Sequence, residues 1–81
     1  MKLQKAVALR VLQLLDEHKI TYYELSKRML TDASTVKHIL HEDNKTIKLE
    51  TVHKIASALN LSIQDFFNSN IFKEVDEPFD K

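Results

Sequence analysis

Ser34, Lys37 and His38 recur three and four residues apart in the stretch TDASTVKHIL. On a helix that spacing places a hydroxyl, an ammonium and an imidazole on one face. Such a set suits recognition by hydrogen bonding. Serine can donate or accept, lysine can pair with guanine, and histidine can donate to guanine or accept from adenine. Thr21, Tyr22, Lys27, Thr31, Asn44, Lys45 and Lys48 lie on either side in sequence. They are candidates for phosphate oxygens, contacts that fix register and carry little sequence information. On an isolated helix all of these would be ordinary solvated residues, so their context decides. His38 and His41 stand three apart, a spacing that can hold zinc. No cysteine and no obvious third ligand accompanies them, so no metal is expected. There is no phosphate-cradling glycine loop, no cysteine nucleophile and no local motif that fixes a triad, so neither catalysis nor a cofactor is expected.

The elements that must hold these residues are short helices. Leu3, Val7, Val11 and Leu15 recur at helical spacing and predict a first helix over 3–18, with Ala8 and Leu12 widening its stripe and Leu9 and Leu14 partly outside it. Thr21-Tyr22-Tyr23-Glu24 matches a capping box opening a second helix, from which Leu25 and Met29 face inward. Lys27 and Arg28 suit its last turn, at the negative end of the helix dipole. Leu30 and Thr31 make a turn. Asp32 is the best N-cap for a third helix over 33–41, whose buried edge is Val36, Ile39 and Leu40. Residues 42–48 form a polar connection. Leu49, Val52, Ile55, Ala56 and Leu59 predict a fourth helix, and Asn60 suits the left-handed conformation that ends many helices. Ser62 then caps a fifth, with Ile63, Phe66 and Phe67 inward. Two helices joined as tightly as the second and third can hold the latter clear of the body, where a major groove could admit it.

Composition agrees with an all-α fold. The 81 residues suffice for one small domain, and 43% hydrophobic with 30% charged is ordinary for a globular chain. Glycine is absent and Pro78 is the single proline, which disfavours turn-rich β folds. The absence of cysteine rules out disulfides and fits a reducing cytoplasm. The most apolar run, residues 6–15, is too short to span a bilayer. Formal charge is zero. Residues 73–81 carry a net of −2, leaving +2 over 1–72, and 27–48 alone are +2. The positive excess therefore lies around the candidate recognition segment, although nucleic-acid binders are usually more basic.

Two blocks in register carry a resemblance. In the first, Ile20, Thr21, Glu24, Leu25, Met29, Val36 and Ile39 hold apolar and capping positions. In the second, IKLETVHKIASALNLSIQDFF, the matching residues are Leu49, Ile55, Ala56, Ala58, Leu59, Leu61 and Phe67. Over residues 5–68 the chain resembles the Cro/CI-type helix-turn-helix family. The resemblance implies a compact five-helix, lambda-repressor-like bundle in which helices 2 and 3 form the helix-turn-helix. It also puts Ala33, Ser34 and His38 where such proteins read bases, and Tyr22 where a side chain meets the DNA backbone. Ala33 offers only a methyl to thymine or room for close approach. The chain departs from the pattern at several places. Tyr22 stands for the frequent glutamine, Ser26 for alanine, Leu30 for the turn glycine, Leu40 for glutamate and Ile47 for proline. At Leu30 either the backbone keeps positive φ, at roughly 1–2 kcal/mol for a residue with a Cβ, or the turn takes another path.

By this resemblance the expected protein is a sequence-specific DNA-binding transcriptional regulator of bacterial or phage type, more often a repressor, working in the cytoplasm on double-stranded DNA. Residues 1–68 would be the DNA-binding domain and 69–81 a short acidic tail that docks or floats. Relatives of this type usually act as dimers, and Phe66, Phe67, Ile71, Phe72 and Phe79 are the apolar candidates for a surface between two copies; the same side chains could instead close one chain's core. No sensor domain, small-molecule ligand or membrane partner is expected. The zero charge and missing turn glycine motivate a different class, a protein-interaction module or antitoxin-type partner with weak DNA binding.

Overall fold

The computed structural model describes residues 1–41 and 47–79, apart from the side chain of His41. Among the described residues five α-helices follow one another: α1 Leu3–His18, α2 Tyr22–Arg28, α3 Ala33–His41, α4 Leu49–Ala58 and α5 Ile63–Phe67. A short 3-10 helix, Asn70–Glu74, comes after them. No strand occurs among the described residues. The all-α bundle expected from the apolar spacing is the fold.

One core joins all five helices. Val7, Val11, Leu14 and Leu15 of α1 meet Leu25 of α2, Val36 and Leu40 of α3, Val52, Ile55 and Ala56 of α4, Leu59, and Phe66 of α5. Val11, Leu25, Val36, Ile55 and Phe66 are completely enclosed. Full burial of a side chain of this kind stabilises by roughly 1.5–3 kcal/mol, which is how so small a chain offsets its ordering entropy. Phe66, Phe67 and Phe72 stack in tilted and edge-on pairs, with ring centroids 4.9–6.3 Å apart. Phe72 brings the 3-10 helix onto the core.

The stripe on α1 is rotated from its expected position. Leu14 is buried and Leu12 exposed, the reverse of the reading above. The cause is Arg10, which looks like an interruption of the apolar run but belongs to its buried face. The Arg10 Nε donates to the Phe66 carbonyl at 2.7 Å, Nη2 to the Asp65 carbonyl at 2.9 Å, and Nη1 to Gln13 Oε1 at 2.6 Å. The two carbonyls belong to the last turn of α5, where that of Asp65 also accepts from the Asn68 N–H at 3.2 Å. With Arg10 counted inside, Val7 and Leu14 lie two turns apart at the centre of the stripe, and Leu12 swings to the far side. Two more apolar residues stay outside: Leu3 is 55% and Leu49 66% exposed, each at the N-terminal end of its helix. Ile63 is also exposed, so α5 turns inward through Phe66 and Phe67 only.

Helices α1, α2 and α4 end alike. Lys19, Leu30 and Asn60 take φ of 56°, 57° and 60°. At each, the left-handed residue donates its N–H to the carbonyl three back, and the next residue donates to the carbonyl five back. The pairs are Lys19 to Asp16 and Ile20 to Leu15, Leu30 to Lys27 and Thr31 to Ser26, and Asn60 to Ser57 and Leu61 to Ala56. This is the Schellman motif, formed three times among the described residues without glycine. The Leu30 backbone therefore keeps positive φ and carries the strain that its Cβ imposes.

Candidate nucleic-acid interface

The helix-turn-helix is built from its entry. Thr21 stands extended before α2, and its Oγ1 accepts from the Glu24 N–H at 3.1 Å. The Glu24 carboxylate pairs with the Arg28 Nε at 3.5 Å, one turn along the helix. Leu25 anchors the inner side. Ser26, also buried, donates its Oγ–H to the Tyr23 carbonyl at 2.6 Å and so presents no unsatisfied hydroxyl to the core. Tyr22 is half-buried with its ring against the core, while Tyr23 is exposed with the Lys27 Nζ 5.6 Å from its ring centroid. The turn then runs through Met29, half-buried against the core, to Leu30, which is 94% exposed.

Beyond the turn, the Thr35 N–H donates to the Asp32 carbonyl at 3.0 Å as α3 begins. Val36 and Leu40 pin the helix to the core with Ile39 half-buried beside them, and α3 packs on both α1 and α2. Ser34, Lys37 and His38 are exposed on the side away from Val36 and Leu40. Ala33 is half-buried at the first position of α3. The structure thus brings together on one outward face the three polar residues singled out by spacing. Thr35 is exposed as well, three residues from His38 on α3, a position that the spacing above did not single out. Its three-residue spacing to His38 was the available signal.

Thr21 and Lys27 are exposed on α2 and its entry, and Thr31 is half-buried in the turn. Lys48 is exposed in an extended conformation immediately before α4. Asn44 and Lys45 lie outside the described residues. Among the described residues no three metal-ligating side chains converge, and no helix is long and apolar enough to cross a membrane.

A scan against protein families matches residues 10–70 to the model of the Cro/C1-type HTH DNA-binding domain. The chain belongs to that family. The matched span runs from Arg10 through α5 and takes in the whole helix-turn-helix, both Arg10 acceptors and all three left-handed turns. The Cro/C1-type domain is a DNA-binding regulatory fold, and the exposed face of α3 is its polar, outward side in this chain. Searches of curated proteins and of solved structures return no match.

Of the five residues expected to form a surface between two copies, one is excluded. Phe66 is fully buried, enclosed by the same core that receives Val11 and Ile55. Phe67 and Phe72 are half-buried against that core and Ile71 is half-buried. Phe79 alone projects, 88% exposed.

Proposed function

We propose that the protein is a sequence-specific transcriptional repressor that inserts α3 into the major groove. The observation that carries this reading is the two-sidedness of α3: Val36 and Leu40 fix it to the bundle while Ser34, Lys37 and His38 project together. A helix held on one edge by a rigid partner helix presents its polar edge without further ordering cost. Ser34, Lys37 and His38 hydrogen-bond to base edges, and Ala33 permits close approach beside a thymine methyl. Thr21, Tyr22, Lys27, Thr31 and Lys48, with Asn44 and Lys45 of the connection, hold phosphates and set the register. Residues 1–68 act as the reading body and 69–81 as an acidic appendage. Two copies bind two half-sites about one helical turn apart, and binding in front of a gene excludes transcription. The setting is a bacterial or phage-infected cytoplasm, where DNA is directly accessible.

Selection of bound fragments from random DNA, followed by gel shifts at low salt, tests the proposal. Lys37→Ala and His38→Ala should each weaken binding to the selected site by about 1–3 kcal/mol, and His38→Ala should also relax the preference at one base position. If both variants bind the selected site like the parent, α3 is not the reading helix. If the parent protein binds no DNA even at low salt, the fold serves protein interaction, as in the antitoxin-type alternative.

A further inference from the structure

Two side-chain pairs, each spanning one turn, run side by side along α2 and treat their cations differently. Glu24 holds the Arg28 Nε at 3.5 Å, which offsets that charge within the helix. One residue earlier, the Tyr23 ring meets Lys27, whose Nζ stands 5.6 Å from the ring centroid. That separation is within reach of a cation–π attraction. Among the described residues no carboxylate pairs with the Lys27 ammonium. A ring face attracts a cation without cancelling its charge, and the N–H groups turned away from the ring stay open to oxygen acceptors. Of the two basic residues in the last turn of α2, Lys27 is therefore the one that still presents its charge outward.

The core does not account for Tyr23. It is 60% exposed, whereas Tyr22 beside it lays its ring against the core, and Leu25 and Ser26 close the inner side of the helix. Thr21 and Lys27, both exposed, flank it in the chain. A lysine side chain has many rotamers, and gripping a phosphate removes most of that freedom. A ring that already restricts the ammonium reduces what is left to lose, so the grip costs less when DNA arrives.

We propose that Tyr23 is a positioning residue for DNA binding, its ring holding the Lys27 ammonium ready for a backbone phosphate. This rests on the reading of Lys27 as a phosphate contact given above. Tyr23 acts through Lys27, so it tightens binding without adding a base preference. The ring face supplies the attraction and the hydroxyl takes no part.

The test is a salt titration of binding to the DNA that the parent selects, alongside random DNA. Tyr23→Ala should weaken binding about two- to fivefold on both, the range that an exposed cation–π contact supplies. Tyr23→Phe should bind like the parent. Lys27→Ala should make the slope of log affinity against log salt shallower by about one, and Tyr23→Ala added to it should change nothing further. Without DNA, the ring current of Tyr23 should move the Lys27 ε-methylene proton resonance upfield. Tyr23→Ala should abolish that shift and leave helical content by circular dichroism unchanged. Absence of the shift in the parent overturns the proposal, as does a Tyr23→Ala variant that binds like the parent. A loss that persists in the Lys27→Ala background overturns it by making Tyr23 a contact in its own right. A loss shared by Tyr23→Phe overturns it by putting the hydroxyl on the DNA. Failure of the underlying reading looks different: Lys27→Ala then keeps the parent's salt slope, and the proposal falls with it, while Lys37→Ala and His38→Ala still report on α3.

Discussion

The turns that end α2 and α4 have the same hydrogen bonds and different residues. After α4, Asn60 takes the left-handed position, and the next residue, Leu61, lies on the core with Ala56, the residue whose carbonyl it caps. After α2, Leu30 takes that position, and the corresponding pair is Thr31 and Ser26. Asparagine tolerates positive φ because its short polar side chain can bond locally, whereas a leucine there is strained. The apolar contact that usually accompanies a Schellman motif is present at the first turn and replaced by two hydroxyl residues at the second. The backbone path is thus over-determined at α4 and held at α2 chiefly by its neighbours, Leu25 on one side and Val36 on the other. The less favoured of the two turns is the one that aims α3.

The comparison can be broken most severely with Leu30→Pro. Proline cannot reach positive φ and would remove the N–H that bonds to Lys27, so a loss of at least about 3 kcal/mol is expected. For a domain of this size that lowers Tm by well over ten degrees, measured by thermal circular dichroism. Exchange of residues sharpens the contrast. Asn60→Leu should destabilise by about 1 kcal/mol and Leu30→Asn should stabilise by a similar amount in urea unfolding. The double exchange should then return close to the parent. Leu30→Gly should also stabilise, by somewhat less than the full strain, since glycine enlarges the entropy of the unfolded chain. Its affinity for the selected DNA should stay within about twofold; a larger loss would show that the exposed leucine itself touches the ligand. The smallest effect belongs to Ser26→Ala, expected to change stability by under about 1 kcal/mol because its hydroxyl bonds only within its own helix.

Much of this architecture was legible from residue spacing. Val36, Ile39 and Leu40 fixed which side of α3 is buried, and so which side bears Ser34, Lys37 and His38. The caps at Thr21 and Ser62 were readable because each hydroxyl stands three residues before the amide it accepts from. Arg10 was not readable. A charged side chain enters the core only where a specific acceptor waits, and the Phe66 carbonyl lies 56 residues away. That one omission misplaced Leu12 and Leu14. Leu3 and Leu49 misled for another reason: periodicity tells which face is apolar, not whether a neighbour extends far enough to cover a helix end. The turn at Leu30 illustrates a third limit, since the family pattern named the position while only the backbone could show that it keeps positive φ.

The Arg10 clasp has a kinetic consequence. Helix formation and the pairing of adjacent helices close short loops and proceed early, whereas a bond between the first helix and the fifth must await the rest of the chain. Contacts made after the folding transition state govern unfolding rather than folding. Loss of the guanidinium should therefore leave the refolding arm of a stopped-flow chevron nearly in place and raise the unfolding arm, so that the native state is left faster. The clasp sets how long a folded molecule lasts more than how quickly one is made.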